Sequence, residues 1–165
     1  MTNNDINLYW RPAIAEGIAT FFFVLIGSGS VIVTGTLSGG EMTVARLTAI
    51  AITHGLAIAM LVAAIGHLSG AHINPAVTFA AVITKRIGIT QGAMYMVTQL
   101  VGGVVAALLI GSLIPAALGG GLGSGAGTLG SHAIAPVITP MQGMVIEIIL
   151  TSILVFVIFG AAMDK

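Results

Sequence analysis

The stretch SGAHINPAVTFA (residues 69–80) decides the architecture of this 165-residue chain. It places the pair Asn74-Pro75 between a long apolar run and a short one. Asn is favoured at the N-cap of a helix and Pro at the first helical position, so the pair predicts a helix that begins at Pro75. Within a bilayer, backbone that leaves a helix is tolerated only where protein buries it or water reaches it. The break therefore indicates that this stretch faces protein or water and not lipid.

The composition of the chain is that of a membrane protein. Hydrophobic residues make up 57% of it and charged residues only 6%, whereas soluble domains carry about a quarter charged residues. Five Lys and Arg balance five Asp and Glu, so nucleic acid is not predicted as a partner. The absence of Cys excludes thiolate chemistry. The polar start MTNNDINLYWR leads into an apolar run without a cleavage site, which predicts a retained membrane span.

Four apolar stretches are long enough to cross ~30 Å of hydrocarbon as helices, which takes roughly 20 residues. The predicted spans are residues 12–34, 45–68, 91–114 and 142–163. A fifth stretch, residues 75–84, would extend only about 15 Å as a helix. We therefore predict an all-α integral membrane protein, a single domain over residues 1–165, with four transmembrane helices and a re-entrant half-helix. A loop followed by a surface helix is the alternative for residues 75–84.

Charge placement predicts the orientation in the membrane. With a cytoplasmic N-terminus, Arg46 lies outside, and the remaining cations lie inside as the positive-inside tendency requires: Arg11, Lys85, Arg86 and Lys165. This count requires that the half-helix enter and leave on the same side. The Gly- and Pro-rich segment 115–141 is then an extracellular loop, in which His132 is predicted to be solvated. We expect the protein in the cell membrane.

The chain contains an internal repeat. AEGIATFFFVLIGSG (residues 15–29) aligns with IEIILTSILVFVIFG (residues 146–160), so that Glu16 falls on Glu147 and Thr20 on Thr151. An odd number of crossings separates the two copies, which predicts an inverted repeat of the kind found in transporters. The first repeat is predicted at residues 12–114, and residues 142–163 are the first span of a second. The chain is expected to stop before the rest of that repeat, as a fragment or a shortened gene would.

The Asn-Pro loop also predicts a chemistry. The carboxamide oxygen of Asn74 is expected to accept a backbone N–H of the first helical turn, which leaves its NH₂ as a fixed donor. The half-helix places its positive dipole end near the middle of the bilayer. The non-helical residues before it supply backbone carbonyls: Gly70, Ala71 and His72. Acceptors that lead to central donors suit water and small neutral solutes and oppose cations.

These residues resemble the major intrinsic protein family, the aquaporins and aquaglyceroporins. SGAHINPAVT matches the family's first Asn-Pro-Ala signature, GHLSGAH is typical of its water-selective branch, and the Glu-x-x-x-Thr of the first and fourth spans matches as well. The resemblance implies an aquaporin-like inverted-repeat fold, a passive channel and, for a complete protein, a homotetramer. It implies a central water-donating role for Asn74, with Pro75 and Ala76 at the tip of the half-helix and lining carbonyls at Gly70, Ala71 and His72.

The resemblance places further residues by position. His54 falls at the outer constriction, where the family varies with the solute. The apolar pore wall would comprise four residues: Phe23, Ile58, Val77 and Leu154. Buried polar residues that fix the loops would be Glu16, Thr20, Glu147 and Thr151. The family's second Asn-Pro-Ala, the Arg that follows it and the fifth-span constriction residue are absent from the chain, so solute selectivity stays open.

Three functions remain after this reading. The first is a passive channel for water and small neutral solutes, and the second is a related facilitator of glycerol, ammonia or urea. The third is a non-conducting fragment that folds partly or assembles with full-length subunits. His67 is interpreted either as lining or as interfacial. No residue cluster resembles a nucleophile with its base or a set of metal ligands, so we predict neither an enzyme nor a bound cofactor or metal.

Overall fold

The computed structural model describes residues 3–118, 120 and 129–163, and the regular structure of these residues is entirely helical. The helices are α1 (Asn3–Leu37), α2 (Val44–Ser69), α3 (Pro75–Ile83), α4 (Ile89–Leu113) and α5 (Pro140–Ile158). A 3₁₀ turn covers Ala116–Leu118, and a π-helical turn, Phe159–Met163, continues α5. The all-α prediction is confirmed. Lys165 and part of the predicted loop 115–141 lie outside the described residues.

Four of the helices are long and apolar enough to cross a membrane: Leu8–Leu37, Val44–Ser69, Ile89–Leu113 and Pro140–Ala161. α3 has nine residues and extends about 14 Å, which is half the hydrocarbon thickness. The combination of four membrane-length helices and one half-length helix is therefore as predicted. α1 begins before Pro12, the predicted start, and continues through that proline. The prediction followed hydropathy alone, whereas the helix also takes in the polar residues that precede the apolar run.

Side-chain caps explain where the helices begin. The hydroxyl of Thr43 accepts the N–H of Arg46 at the start of α2. At the start of α5, Thr139 and Gln142 form a capping box in which each side chain accepts the other's backbone N–H. α2 ends at Gly70, whose φ of 88° is in the left-handed region that favours glycine. Gly70 thus marks the start of the loop that leads to α3.

α1 and α4 pack at very short range because glycines face each other. A Cβ added to Gly102 would fall on the carbonyl oxygen of Gly17, and one added to Gly17 would lie 2.9 Å from the carbonyl oxygen of Thr98. The approach also lets the hydroxyl of Thr98 donate to the carbonyl of Ala13 at 2.6 Å. Small residues that allow backbones to meet are typical of membrane helix interfaces.

α3 packs against α4 on one side and α5 on another. Buried residues are concentrated in α1, the α2–α3 loop, α3 and α4, whereas none of the residues of α5 is buried. Large apolar side chains along the outer faces of all four long helices are exposed, as a lipid environment requires. The half-helix is therefore held mainly by α4.

Candidate functional site

The loop between α2 and α3 adopts a conformation that most side chains avoid. Gly70, Ala71 and Ile73 have φ values of 88°, 51° and 53°. A positive φ is a genuine outlier for a β-branched residue such as Ile73. Such a backbone persists only when its surroundings hold it in place.

Glu16, on α1, supplies that restraint. Its Oε1 accepts the backbone N–H of His72 at 2.9 Å and the hydroxyl of Ser69 at 2.6 Å. Its Oε2 accepts the backbone N–H of Ile73 at 2.6 Å and the side-chain amide of Gln99 at 2.8 Å. The residue is 0% exposed. Four donors on one carboxylate satisfy a buried charge and fix the loop backbone to α1.

The network continues from Glu16 into α3 and α4. The amide of Gln99 also donates to the hydroxyl of Thr78 at 3.0 Å, and that hydroxyl donates to the carbonyl of Asn74 at 3.1 Å. Nδ1 of His72 lies 3.1 Å from the same hydroxyl. The hydroxyl of Tyr95 donates to the carbonyl of Ser69 at 3.0 Å. α1, the end of α2, the loop, α3 and α4 are thus joined by buried hydrogen bonds.

Four members of this network are not among the site residues predicted from the sequence: Ser69, Thr78, Tyr95 and Gln99. A signal was nevertheless present in α4. Gln91, Tyr95 and Gln99 follow one another at intervals of four residues in a mostly apolar span, so they share a helix face. Polar side chains in membrane helices usually face protein rather than lipid. That face of α4 was therefore identifiable as the one that packs inward.

Asn74 begins the half-helix and keeps a donor group available. Its Oδ1 accepts the backbone N–H of Ala76 at 2.8 Å. Its side-chain NH₂ has no hydrogen-bond partner among the described residues, and Asn74, Pro75 and Ala76 are all half-buried. The helix dipole adds partial positive charge at the same place. This tip can donate hydrogen bonds to a small polar molecule and repels a cation.

The residues predicted to flank Asn74 differ in accessibility. Gly70 is exposed, whereas Ala71 and His72 are only 2% and 3% exposed. Val77, predicted to line the pore wall, is fully buried instead. It lies on the packed side of α3, as do Thr78 and Ala81. Of the three residues predicted to contribute lining carbonyls, Gly70 is the one that is exposed.

A second surface extends outward from the loop along α1 and α2. Phe23 and Ile58 pack against a buried cluster that includes Ala71 and Ile73. The ring of His54 lies edge-to-face with that of Phe23, with centroids 5.8 Å apart. The ring of His132, from the loop before α5, lies 6.5 Å from that of His54. His132 is exposed and His54 half-buried.

The predicted site residues of α5 are not drawn into the network. Glu147, predicted to be buried, is exposed, and Thr151 is half-buried. Leu154 is 39% exposed. Within the described part of the chain, Glu147 has no hydrogen-bond partner, and α5 packs beside α3. His67, in the last turn of α2, is exposed.

Titratable groups are too dispersed for a metal centre. Among residues 3–118, 120 and 129–163, no three His, Cys, Asp or Glu side chains come together in a way that could hold an ion. The one buried carboxylate described above, that of Glu16, is fully occupied by donors. The site is thus a hydrogen-bonding surface around Asn74.

Comparison with known proteins places the chain in a family. Residues 4–165 match the family described as Major intrinsic protein. The chain is 39% identical over 155 residues to Aquaporin TIP4-4 of Zea mays, covering 93% of this chain and 58% of that protein. It is 37% identical over 158 residues to Aquaporin-4 of Mus musculus, covering 95% of this chain and 46% of that protein.

A third relative is the lens fiber major intrinsic protein of Oryctolagus cuniculus. It is 36% identical over 152 residues, which are 92% of this chain and 53% of that protein. The chain therefore spans about half the length of the curated relatives it matches.

Proposed function

Because the chain belongs to the major intrinsic protein family, we propose that its protein is a passive transmembrane channel for water and small neutral solutes. Two of the named relatives are aquaporins, and this agrees with the prediction that the protein is not an enzyme. The observation that carries the proposal is the tip of α3. There Asn74 uses its oxygen to cap the helix at 2.8 Å and keeps its NH₂ available as a donor.

The surroundings of Asn74 support a neutral solute rather than an ion. The N-terminal end of α3 contributes partial positive charge, and the carboxylate of Glu16 is fully buried and hydrogen-bonded. A cation at this point would meet donors and a positive dipole end. Water can accept from the NH₂ of Asn74, and it can donate to a backbone carbonyl such as that of Gly70, an exposed residue.

We propose a cytoplasmic N-terminus in the cell membrane and, for the whole protein, a homotetramer, as the family resemblance implies. The contact between Arg86 and Phe159 supports the re-entrant course of α3 on which this orientation depends, since the guanidinium carbon lies 4.8 Å from the ring centroid. It joins the segment after α3 to the end of α5. Both segments then lie on one side of the membrane, as a re-entrant α3 requires.

The substitution Asn74→Asp in the complete gene product tests the proposal. Asp caps a helix about as well as Asn, so α3 should still form and resistance to unfolding should stay close to wild type. Its carboxylate, however, replaces the NH₂ donors by acceptors and a negative charge. We expect proteoliposomes to shrink more slowly under an osmotic gradient than wild type, and to gain a cation leak. Wild-type vesicles that shrink no faster than empty ones would refute the channel.

A glycerol, ammonia or urea facilitator is the alternative within the family. His54 is half-buried beside Phe23. Its imidazole places a polar group at a point where the carbon chain of glycerol would otherwise pack. Uptake of each solute by the same proteoliposomes separates these possibilities from a water channel. Glycerol uptake that outpaces water-driven shrinkage would favour the facilitator.

A non-conducting fragment that assembles with full-length subunits is the second candidate. Glu147 is exposed, and α5 has no buried residue. An unpartnered carboxylate at membrane depth is costly, so this helix needs contacts beyond those within the described chain. Co-purification of the 165-residue chain with a differently tagged longer subunit would support this candidate, whereas purification of the chain alone would oppose it.

A further inference from the structure

Gly27, on α1, lies directly against the ring of His54, on α2. Gly27 is buried, and a Cβ added to it would lie 2.6 Å from Nε2, 3.0 Å from Cδ2 and 3.2 Å from Cε1 of His54. Real Cβ atoms essentially never have a neighbour as near as that nitrogen. The missing side chain of Gly27 therefore leaves a niche in the surface of α1, and the imidazole occupies it.

Two other contacts hold the ring in this niche. Nδ1 of His54 lies 2.9 Å from the carbonyl oxygen of Ile50. Because a carbonyl only accepts, Nδ1 carries the proton. Phe23, one helical turn before Gly27, meets the ring edge-to-face. Nε2 has no hydrogen-bond partner among the described residues and is the ring atom nearest to Gly27.

The niche lies on the surface that extends from the Asn74 loop. Phe23 and Ile58 connect the loop cluster to His54, and the His132 ring lies beyond it. A solute that moves along this surface passes the imidazole. The depth at which the ring sits in α1 thus decides how much of it projects into the path.

We propose that Gly27 is a positioning residue that holds the His54 ring back in α1 and so sets the width of the conduit at His54. This inference rests on the proposed channel function. A side chain at position 27 would have to displace either the ring or the helix backbone. Rotation of the imidazole about its side-chain bonds moves only a few atoms between staggered states, whereas separation of α1 from α2 disrupts a packed interface. A side chain at position 27 therefore displaces the imidazole ring from the niche and leaves the helices in contact.

The first test measures how accessible His54 is, and it does not depend on conduction. The 165-residue chain in lipid nanodiscs is treated with diethyl pyrocarbonate, and modification of each His is followed by mass spectrometry. In the wild type, His54 should react slowly because Nε2 faces Gly27. Gly27→Ala should accelerate modification of His54 severalfold.

Gly29→Ala is the matched control, because an added Cβ there meets nothing within 4 Å. It should leave the rate at His54 unchanged. His72, which is 3% exposed, reports on general loosening and should stay slow in both variants. An unchanged rate at His54 in Gly27→Ala, or a parallel rise at His72, would overturn the niche.

The second test measures permeation by the complete gene product. Gly27→Ala should lower the permeability to urea more than that to water, because an expelled ring narrows the path for the larger solute. In the double variant Gly27→Ala/His54→Ala, this difference should vanish and the selectivity should equal that of His54→Ala.

The two tests separate the two proposals. A wild-type protein that conducts neither solute refutes the channel function, while the modification rates still decide whether Gly27 seats the ring. A conducting wild type whose selectivity is the same in Gly27→Ala overturns the inference alone.

Discussion

Among individual residues, Glu16 is the one that holds the α2–α3 loop in place. Its two oxygens accept from Ser69, His72, Ile73 and Gln99. A carboxylate is suited to this position because it only accepts, and all its neighbours here are donors. The positive φ values of Ala71 and Ile73 are maintained because the backbone N–H groups of His72 and Ile73 both donate to this one side chain.

Replacement of Glu16 by Gln tests that role. The Gln side chain keeps the shape but presents an NH₂ toward groups that also donate, so at least one buried N–H loses its acceptor. An unsatisfied buried group costs about 1–3 kcal/mol, and we expect the variant to be less stable by that amount. Unfolding by titration with sodium dodecyl sulfate measures it.

Glu147→Gln is the matched control, since Glu147 aligns with Glu16 in the internal repeat but is exposed. It should change stability far less than Glu16→Gln does. Equal losses from the two substitutions would show that the buried network does not hold the loop.

At the scale of the element, the contact of α1 with α4 is set by the absence of side chains. Gly17 and Gly102 bring the two backbones together, and Thr98 closes the interface with its hydrogen bond to Ala13. This contact positions Glu16 on α1 opposite Gln99 on α4. The packing of two long helices thus determines the geometry of the loop network.

Gly102→Ala should therefore weaken the whole site. Its added Cβ would fall on the carbonyl oxygen of Gly17, and because the obstacle is backbone, the helices must separate. Overpacking of this kind typically costs about 1–3 kcal/mol.

The neighbouring substitution Gly103→Ala is the control, because its Cβ would meet a single atom, in Val24, at an ordinary 3.8 Å. The same detergent titration should show a loss for position 102 and almost none for position 103. Comparable losses at both positions would contradict tight α1–α4 packing.

Local chemistry made the half-helix predictable. Asn74-Pro75 and the length of the apolar stretch placed it at residues 75–84, and it is observed at Pro75–Ile83. The partners of Glu16 were not predictable in the same way, because Gln99 is distant in sequence and reaches the carboxylate only through the rotation and depth of α4. The burial of Val77 had the same origin, since the packed face of α3 depends on α4.

Across the whole molecule, the two aligned Glu residues of the internal repeat differ in their hydrogen bonding. The partners of Glu16 come from α2, the loop and α4, all within the first repeat. Glu147 has the equivalent position on α5 but has no hydrogen-bond partner among the described residues. α5 is attached through α3 and through the contact of Arg86 with Phe159. The carboxylate of Glu16 thus finds all its partners within the first repeat, whereas the side-chain NH₂ of Asn74 has no hydrogen-bond partner among the described residues.

This asymmetry predicts that the 165-residue chain by itself conducts little water. Gly70 is exposed and Asn74 is half-buried. Lipid chains can therefore contact polar groups that would contact only water in a closed conduit. Each such group left unsatisfied in hydrocarbon costs several kcal/mol, which disfavours a continuous water file. Proteoliposomes with this chain should shrink at nearly the rate of empty vesicles, as measured by stopped-flow light scattering, and Asn74→Asp should make no difference. Rapid shrinkage that Asn74→Asp abolishes would show instead that these residues close a conduit without further chain.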